Sequence, residues 1–333
     1  MKNKFKPFSI VGILLSILML GCQSEAGQED LILEEEIGAF SFGPLLDVEL
    51  DELIQFEYNG EEIRIPYHVE GWGEDIVSEL GLFFFVDGLP QAMRLETLEG
   101  ELLRENAYMH NFALAFQERA EFYVVFTPIS GEIDERVGLI AGAILMPEFM
   151  PDSIDNPIFG IFHSLTATIP AEILISSETA GNFIEYSDAY LELVPLELLT
   201  NEEVGSYVDE AFESQLTHLP NIGLLPSEGE LQLDYEGVIF ADDGQVTIRL
   251  FVYGGQEVTN RITLFINHQP VQVNGVDFIE VEMEVGQMAV IDLILDVDEL
   301  SHFSSLYAIM MTTGEDYHVQ DIFKTRTLLL VSE

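Results

Sequence analysis

Seven histidines, His68, His110, His163, His218, His268, His302 and His318, never fall at the H-x-x-x-H spacing by which one helix face offers zinc two imidazoles. A zinc hydrolase of that type is unsupported. No G-x-S-x-G elbow exposes a serine, and Lys324, the only lysine after Lys6, does not lie three residues beyond one, so the usual signatures of serine acyl chemistry are missing. Gly71-Trp72-Gly73 reads as a turn carrying an aromatic, not as a phosphate-cradling loop. Sixty acids supply carboxylate pairs for glycoside hydrolysis everywhere and therefore single out none. Clustered oxygen ligands in expected loops point instead to calcium. Such clusters are Asp152 with Asp155, Asp242 with Asp243, and Asp296, Asp298 and Glu299, the last being the candidate metal site, although none follows the twelve-residue EF-hand pattern. Trp72, the sole tryptophan, is the candidate ligand-binding residue, able to stack on a sugar or anchor a protein partner. No other cofactor is expected.

The sole cysteine has a different chemistry open to it. Lys2, Lys4 and Lys6 precede an uncharged run from Phe8 to Leu20, which is shorter than the roughly 20 residues a membrane-spanning helix needs and has its positive flank first. That is a signal peptide. Leu18-Met19-Leu20-Gly21-Cys22 resembles the lipobox of bacterial lipoproteins, in which a small residue precedes the cysteine that is acylated and becomes the new N-terminus. The resemblance implies an exported protein held by lipid on Cys22, at the outer face of the cell membrane or within the envelope. Cleavage leaves nine basic against sixty acidic residues, a net charge of −51. Such a surface repels phosphate backbones and anionic headgroups, so nucleic acid is excluded as a partner and the lipid must do the anchoring. Without a second cysteine there is no disulfide framework, and stability has to come from buried cores.

The elements that would position these residues are strands. Small, polar and acidic residues over 22–38 form a tether. Leu53 to Val69 alternates on both sides of Asn59-Gly60, which predicts a type I′ hairpin pairing Phe56 with Ile63 and Ile54 with Ile65. Further strands are expected over Leu80–Val86, Asn111–Phe116, Glu121–Thr127, Val137–Met146 and Leu165–Ile175. A second series covers Val246–Tyr253, Arg261–Asn267, Phe278–Val285, Met288–Leu295 and Leu306–Thr312. The two series look alike: Ile63-Arg64-Ile65 parallels Ile248-Arg249-Leu250, and the segment from Phe85 to Pro90 parallels that from Phe265 to Pro270. Thr200 and Glu203 open an amphipathic helix that carries Val204, Tyr207, Val208, Ala211, Phe212 and Leu216 on one face and stops before Pro220.

Mainly β architecture follows: two tandem β-sandwich modules, at 39–199 and 229–333, with the helix and a linker at 200–228 between them. The modules resemble immunoglobulin-like domains of bacterial surface proteins, without the cysteine and tryptophan hallmarks. Fold alone carries no activity. First among the expected functions is a non-enzymatic surface interaction or scaffold lipoprotein with a protein or glycan partner. A ligand-binding accessory lipoprotein for a sugar or divalent cation comes second, and an extracellular hydrolase third.

Overall fold

A computed structural model describes residues 39–45, 54–72, 77–167, 171–179, 191–195, 221–227, 237–253, 258–283, 287–297, 300–313 and 322–332. Cys22, the tether and the helix expected within 200–216 lie outside these residues. The described chain is all β and forms two β-sandwiches. In the first, β1 (Ala39–Pro44), β2 (Ile54–Tyr58), β3 (Ile63–Trp72), β4 (Ser78–Val86), β5 (Leu89–Gln91) and β6 (Met93–Glu96) come in turn. They are followed by β7 (Leu102–Ala107), β8 (Met109–Leu114), β9 (Arg119–Phe126), β10 (Arg136–Leu145), β11 (Leu165–Ala167) and β12 (Ala171–Ile175). One sheet has the order β1-β3-β9-β6-β7, and the other β2-β12-β10-β4-β5 with β8 also on β4 and β11 on β10.

The second sandwich repeats this plan. It contains β13 (Leu191–Pro195), β14 (Asn221–Pro226), β15 (Val238–Phe240), β16 (Gln245–Tyr253), β17 (Val258–Ile266) and β18 (Gln269–Val271). After these come β19 (Ile279–Met283), β20 (Gln287–Asp296), β21 (Phe303–Thr313), β22 (Ile322–Lys324) and β23 (Leu328–Val331). Its sheets are β14-β16-β20-β13 and β15-β23-β21-β17-β18, with β19 on β17 and β22 on β21. Even the parallel pair recurs, β2 with β12 and β15 with β23. Phe85 pairs with Pro90 and Phe265 with Pro270 in one register, and the two arginine motifs stand on β3 and β16. The repeats differ in spacing because β3 continues to Trp72, whereas β16 stops at Tyr253, nearer its arginine.

Two expectations need correction. β2 and β3 do not form a hairpin, because β2 joins β12 in one sheet while β3 lies between β1 and β9 in the other. Ile54 and Tyr58 face Ile63 and Ile65 across the sandwich core, which yields the same alternation as pairing side by side. A type I′ turn needs positive φ at both central residues, and here only Gly60 has it, at 97°; Asn59 instead accepts the Glu61 amide on its side chain. The linker expected within 200–228 is also misplaced, because the chain has entered the second sandwich before it. Asn221–Pro226 is edge strand β14, paired with β16, and proline at its end is tolerated there. β13, expected in the first module, pairs with β20 of the second.

Each sandwich has its own core, and a third apolar cluster joins them. On β4, Leu80, Leu82, Phe84 and Val86 point into the first core, while Phe83 and Phe85 point out of the sandwich. On β21, Leu306, Ala308 and Met310 face the second core, and Tyr307, Ile309 and Met311 face the other way. Those outward residues meet, with Ile140, Ile144 and Phe265, in a seam between the seven-stranded sheets. The equivalent phenylalanines Phe85 and Phe265 touch edge to face with centroids 6.3 Å apart. Corresponding turns also cross over. The Asp87-Gly88 turn abuts Arg261 and Thr313, and the Asn267-His268 turn reaches Pro147. Repeats meeting through equivalent residues have the geometry of an approximate two-fold axis.

Candidate functional site

At one margin of the seam, four titratable side chains pack together. His268 Nε2 donates to the Pro147 carbonyl, so its Nδ1 is left to accept from the Tyr307 hydroxyl, 2.9 Å away. His163 lies beside it, ring centroids 5.0 Å apart, and its Nε2 donates to the Phe149 carbonyl at 3.0 Å. The Nδ1 of His163 is buried and has no hydrogen-bond partner. Lys324 Nζ sits 4.3 Å from the Tyr307 ring centroid and donates to Thr325 O and to Thr327 Oγ1, at 3.1 and 2.7 Å.

Backbone strain accompanies this cluster. Met146, His163 and His268 all have positive φ, at 43°, 60° and 64°, a conformation costly for side chains of this size. In the first repeat the position equivalent to His268 is Gly88, which adopts φ of 77° without a Cβ to clash. The second repeat bears the cost in order to place an imidazole across the seam.

Burial sets the protonation states. It depresses His163 to about 2 and His268 to about 4, with further lowering of His163 by His268 and Lys324, so both rings are neutral at physiological pH. Burial also lifts the Tyr307 hydroxyl well above its ordinary value and lowers Lys324 to about 7. Lys324 is partly exposed as a residue, but its ammonium end is enclosed by protein, and the shift follows that end.

A stability profile follows. Burial lowers the pKa of His68 and His110 as well. Unfolded histidines take up protons near pH 6.5, and the folded ones resist until lower pH, so these histidines leave stability intact above pH 6.5 and erode it as pH falls. The melting temperature should therefore drop between pH 6.5 and 4.5, before most carboxylates titrate. His268→Gln should make the decline shallower, and a flat profile in both proteins would contradict these protonation states.

A cleft of about 390 Å³ opens beside the cluster, between the Phe159–Leu165 segment of the first sandwich and Ile322–Thr327 of the second. Phe162, His163 and Leu165 line one wall, and Phe323, Lys324 and Arg326 the other. Among the described residues no carboxylate lines it.

The residues singled out from sequence stand elsewhere. Trp72 ends β3 opposite Ala39, is 42% exposed, and donates from Nε1 to Ser41 Oγ at 3.3 Å. No ring stacks on it among the described residues. Asp296 is exposed at the end of β20 and accepts from Gln245 Nε2 at 2.9 Å. The Val297 amide bonds Gly244 O, so the Asp242-Asp243 turn and Asp296 share one end of the sandwich. Asp298, Glu299 and Cys22 lie outside the described residues, among which no group of three or more His, Cys, Asp or Glu would hold a metal. Sequence reading treated His163, His268 and Lys324 separately, since 161 of 333 positions part the first from the last and only the seam unites them.

Comparison with known proteins adds no activity. No protein-family model matches the chain, and no curated protein matches it. Among solved structures, it is similar at 9% identity and a TM-score of 0.21 to a CsuC–CsuE chaperone–tip adhesion subunit complex from Acinetobacter baumannii, covering 86% of this chain and 98% of that one. Fibronectin(III)-like modules of Clostridium thermocellum CbhA are 9% identical at a TM-score of 0.18, over 88% of this chain and 95% of theirs. Red sea bream transglutaminase is 9% identical at a TM-score of 0.20, over 90% of this chain and 32% of its own. The class the chain itself defines is the tandem β-sandwich.

Proposed function

We propose that this protein is an exported lipoprotein, anchored through Cys22 to the outer face of the cell membrane or within the envelope, and that it acts without catalysis as an interaction scaffold. The observation that carries this reading is the outer edge of the five-stranded sheet. Among the described residues β7 ends that sheet, and Leu98, Leu102 and Leu103 stand about half exposed on and beside it. The strand carries Arg104 and Glu105 as well, and an open strand edge with exposed leucines beside charged residues is a template for a partner chain that matches both. The β6–β7 hairpin also breaks the repeat. Among the described residues the slot beside β20 in the second sandwich is taken by β13 alone. A surface added to one repeat, on a body whose two sandwiches are fixed to each other, suits the presentation of one face to a protein partner.

One experiment in whole cells tests both parts. A photo-reactive amino acid at position 103 should crosslink a discrete partner, and Leu102→Asp with Leu103→Asp should abolish the product while the protein still reaches the membrane. Cys22→Ala should move essentially all the protein from the detergent phase to the aqueous phase. Retention of processed Cys22→Ala in membranes would remove the lipid anchor from the account, and an unchanged crosslink in the double variant would remove β7.

A further inference from the structure

We infer that residues 146–164 form a clasp, latched over the second sandwich by His163 and His268, and that acid opens it to uncover the apolar face beneath. The clasp is an addition to one repeat. β10 and β21 correspond, since each pairs with a long strand (β4 or β17), a short one (β11 or β22) and a member of the parallel pair (β12 or β23). Yet the link from β10 to β11 is more than twice as long as residues 314–321, which join β21 to β22. Its extra chain crosses to the other sandwich, where Phe149, Met150 and Phe159 pack on Leu329, Val331 and Phe303. Phe149 and Phe162 hold its two ends together, with ring centroids 4.1 Å apart.

The latch is made of hydrogen bonds that suit only neutral imidazoles. His268, on the second sandwich, donates to the Pro147 carbonyl, and His163, near the end of the clasp, donates back to Phe149 O near its start. A second proton on His163 would go to Nδ1, which is buried and has no acceptor to meet it. On His268 it would displace the bond that Nδ1 accepts from Tyr307. With the rings 5.0 Å apart, two imidazolium charges would also repel each other. Lys324 and Arg326, which line the cleft together with His163, add positive charge on that side. Among the described residues Glu148 is the one acid that favours charge on His268, and its carboxylate already accepts from Asn111 Nδ2 at 3.0 Å. Strain assists release, because Met146 and His163, at the two ends, hold φ of 43° and 60° in the closed clasp. Once open, both rings return to the ordinary histidine value near 6.5, so opening takes up two protons below that pH. Lys324, lowered by burial to about 7, is charged in either state there and leaves the acid response to the histidines.

Hydrogen exchange of the complete mature chain, corrected for the intrinsic pH dependence of exchange, measures the opening. The amides of Phe149, Phe162 and His163, which bond Met146 O, Phe159 O and Leu145 O, should lose protection about 500-fold between pH 7 and pH 5, while those of β4 and β21 stay protected. Nile red fluorescence should rise over the same interval as the apolar face is uncovered. His163→Gln and His268→Gln each retain an N–H donor but take up no proton, so each should cut the change to about 25-fold, and the double variant should abolish it. If His163→Gln leaves the clasp open at every pH, the change in His268→Gln decides. Protection of the clasp that does not depend on pH, loss of protection in the clasp and the core strands together, or an undiminished change in His268→Gln would each overturn the proposal. None of these outcomes bears on β7, so the scaffold reading stands or falls separately.

Discussion

Phe265→Ala should lower stability by about 3–5 kcal/mol, as large as a substitution in either sandwich core, although Phe265 belongs to neither. Its ring stacks on Tyr307 with centroids 5.2 Å apart and meets Phe85 edge to face, and 4% of the residue is exposed. Removing it leaves a cavity on the line where equivalent strands of the two repeats meet, and both sheets are too well packed to collapse into it. The loss corresponds to a fall in melting temperature of about 10 °C. Calorimetry distinguishes this from a local effect. The wild-type chain should unfold in one transition because the sandwiches share the seam, and the variant should broaden toward two. A shift of only a degree or two, with one sharp transition retained, would mean that the sandwiches hold together by other contacts.

Arg261→Ala is expected to cost about 2–4 kcal/mol by a different route. The guanidinium donates to the Asp87 backbone carbonyl and side chain across the seam, and from Nε to Glu280 Oε2 at 2.9 Å on its own sandwich. Burial alone would lower the arginine's pKa, but Asp87 and Glu280 more than offset that and hold it raised. Deleting the cation strands two carboxylates, one of them partly buried, in a chain already carrying excess negative charge. The deficit should shrink in Arg261→Ala with Asp87→Asn, because the second change removes the uncompensated partner. Thermal melts of the three variants check this. Equal stability of the single and double variants would show that Asp87 was never dependent on Arg261.

Much of the strand order was legible because alternation survives wherever one sheet face is buried. Val246–Tyr253 and Arg261–Asn267 fall within a residue or a few of β16 and β17, and the repeat between Phe85–Pro90 and Phe265–Pro270 holds to the register of individual pairs. Partnership between strands was less legible. Ile54 and Ile65 show the same pattern whether they are neighbours in one sheet or face each other between two, and the Asn-Gly dipeptide favoured the wrong choice. The seam left a signal within strands that were expected: Val137–Met146, Leu82–Val86 and Leu306–Met311 are apolar without alternation. In a sandwich, such strands must be covered on both faces. The cleft left less of a trace, because the positions of Lys324 and His163 depend on how two repeats dock, and no local spacing encodes that.

The entry point of the chain into the first sandwich has a mechanical consequence. β1 begins at Ala39 opposite Trp72 and runs antiparallel to β3 as far as Pro44 opposite Tyr67. Under the proposed anchoring, tension between the membrane and a partner held at β7 would reach the body through Ala39. Pulled along its own axis, β1 can leave only by sliding past β3, which strains all its ladder bonds at once; pulled sideways, it peels away one pair at a time. Resistance to force would then depend on the direction of pull, with the long β3 that ends in Trp72 acting as the rail that resists shear.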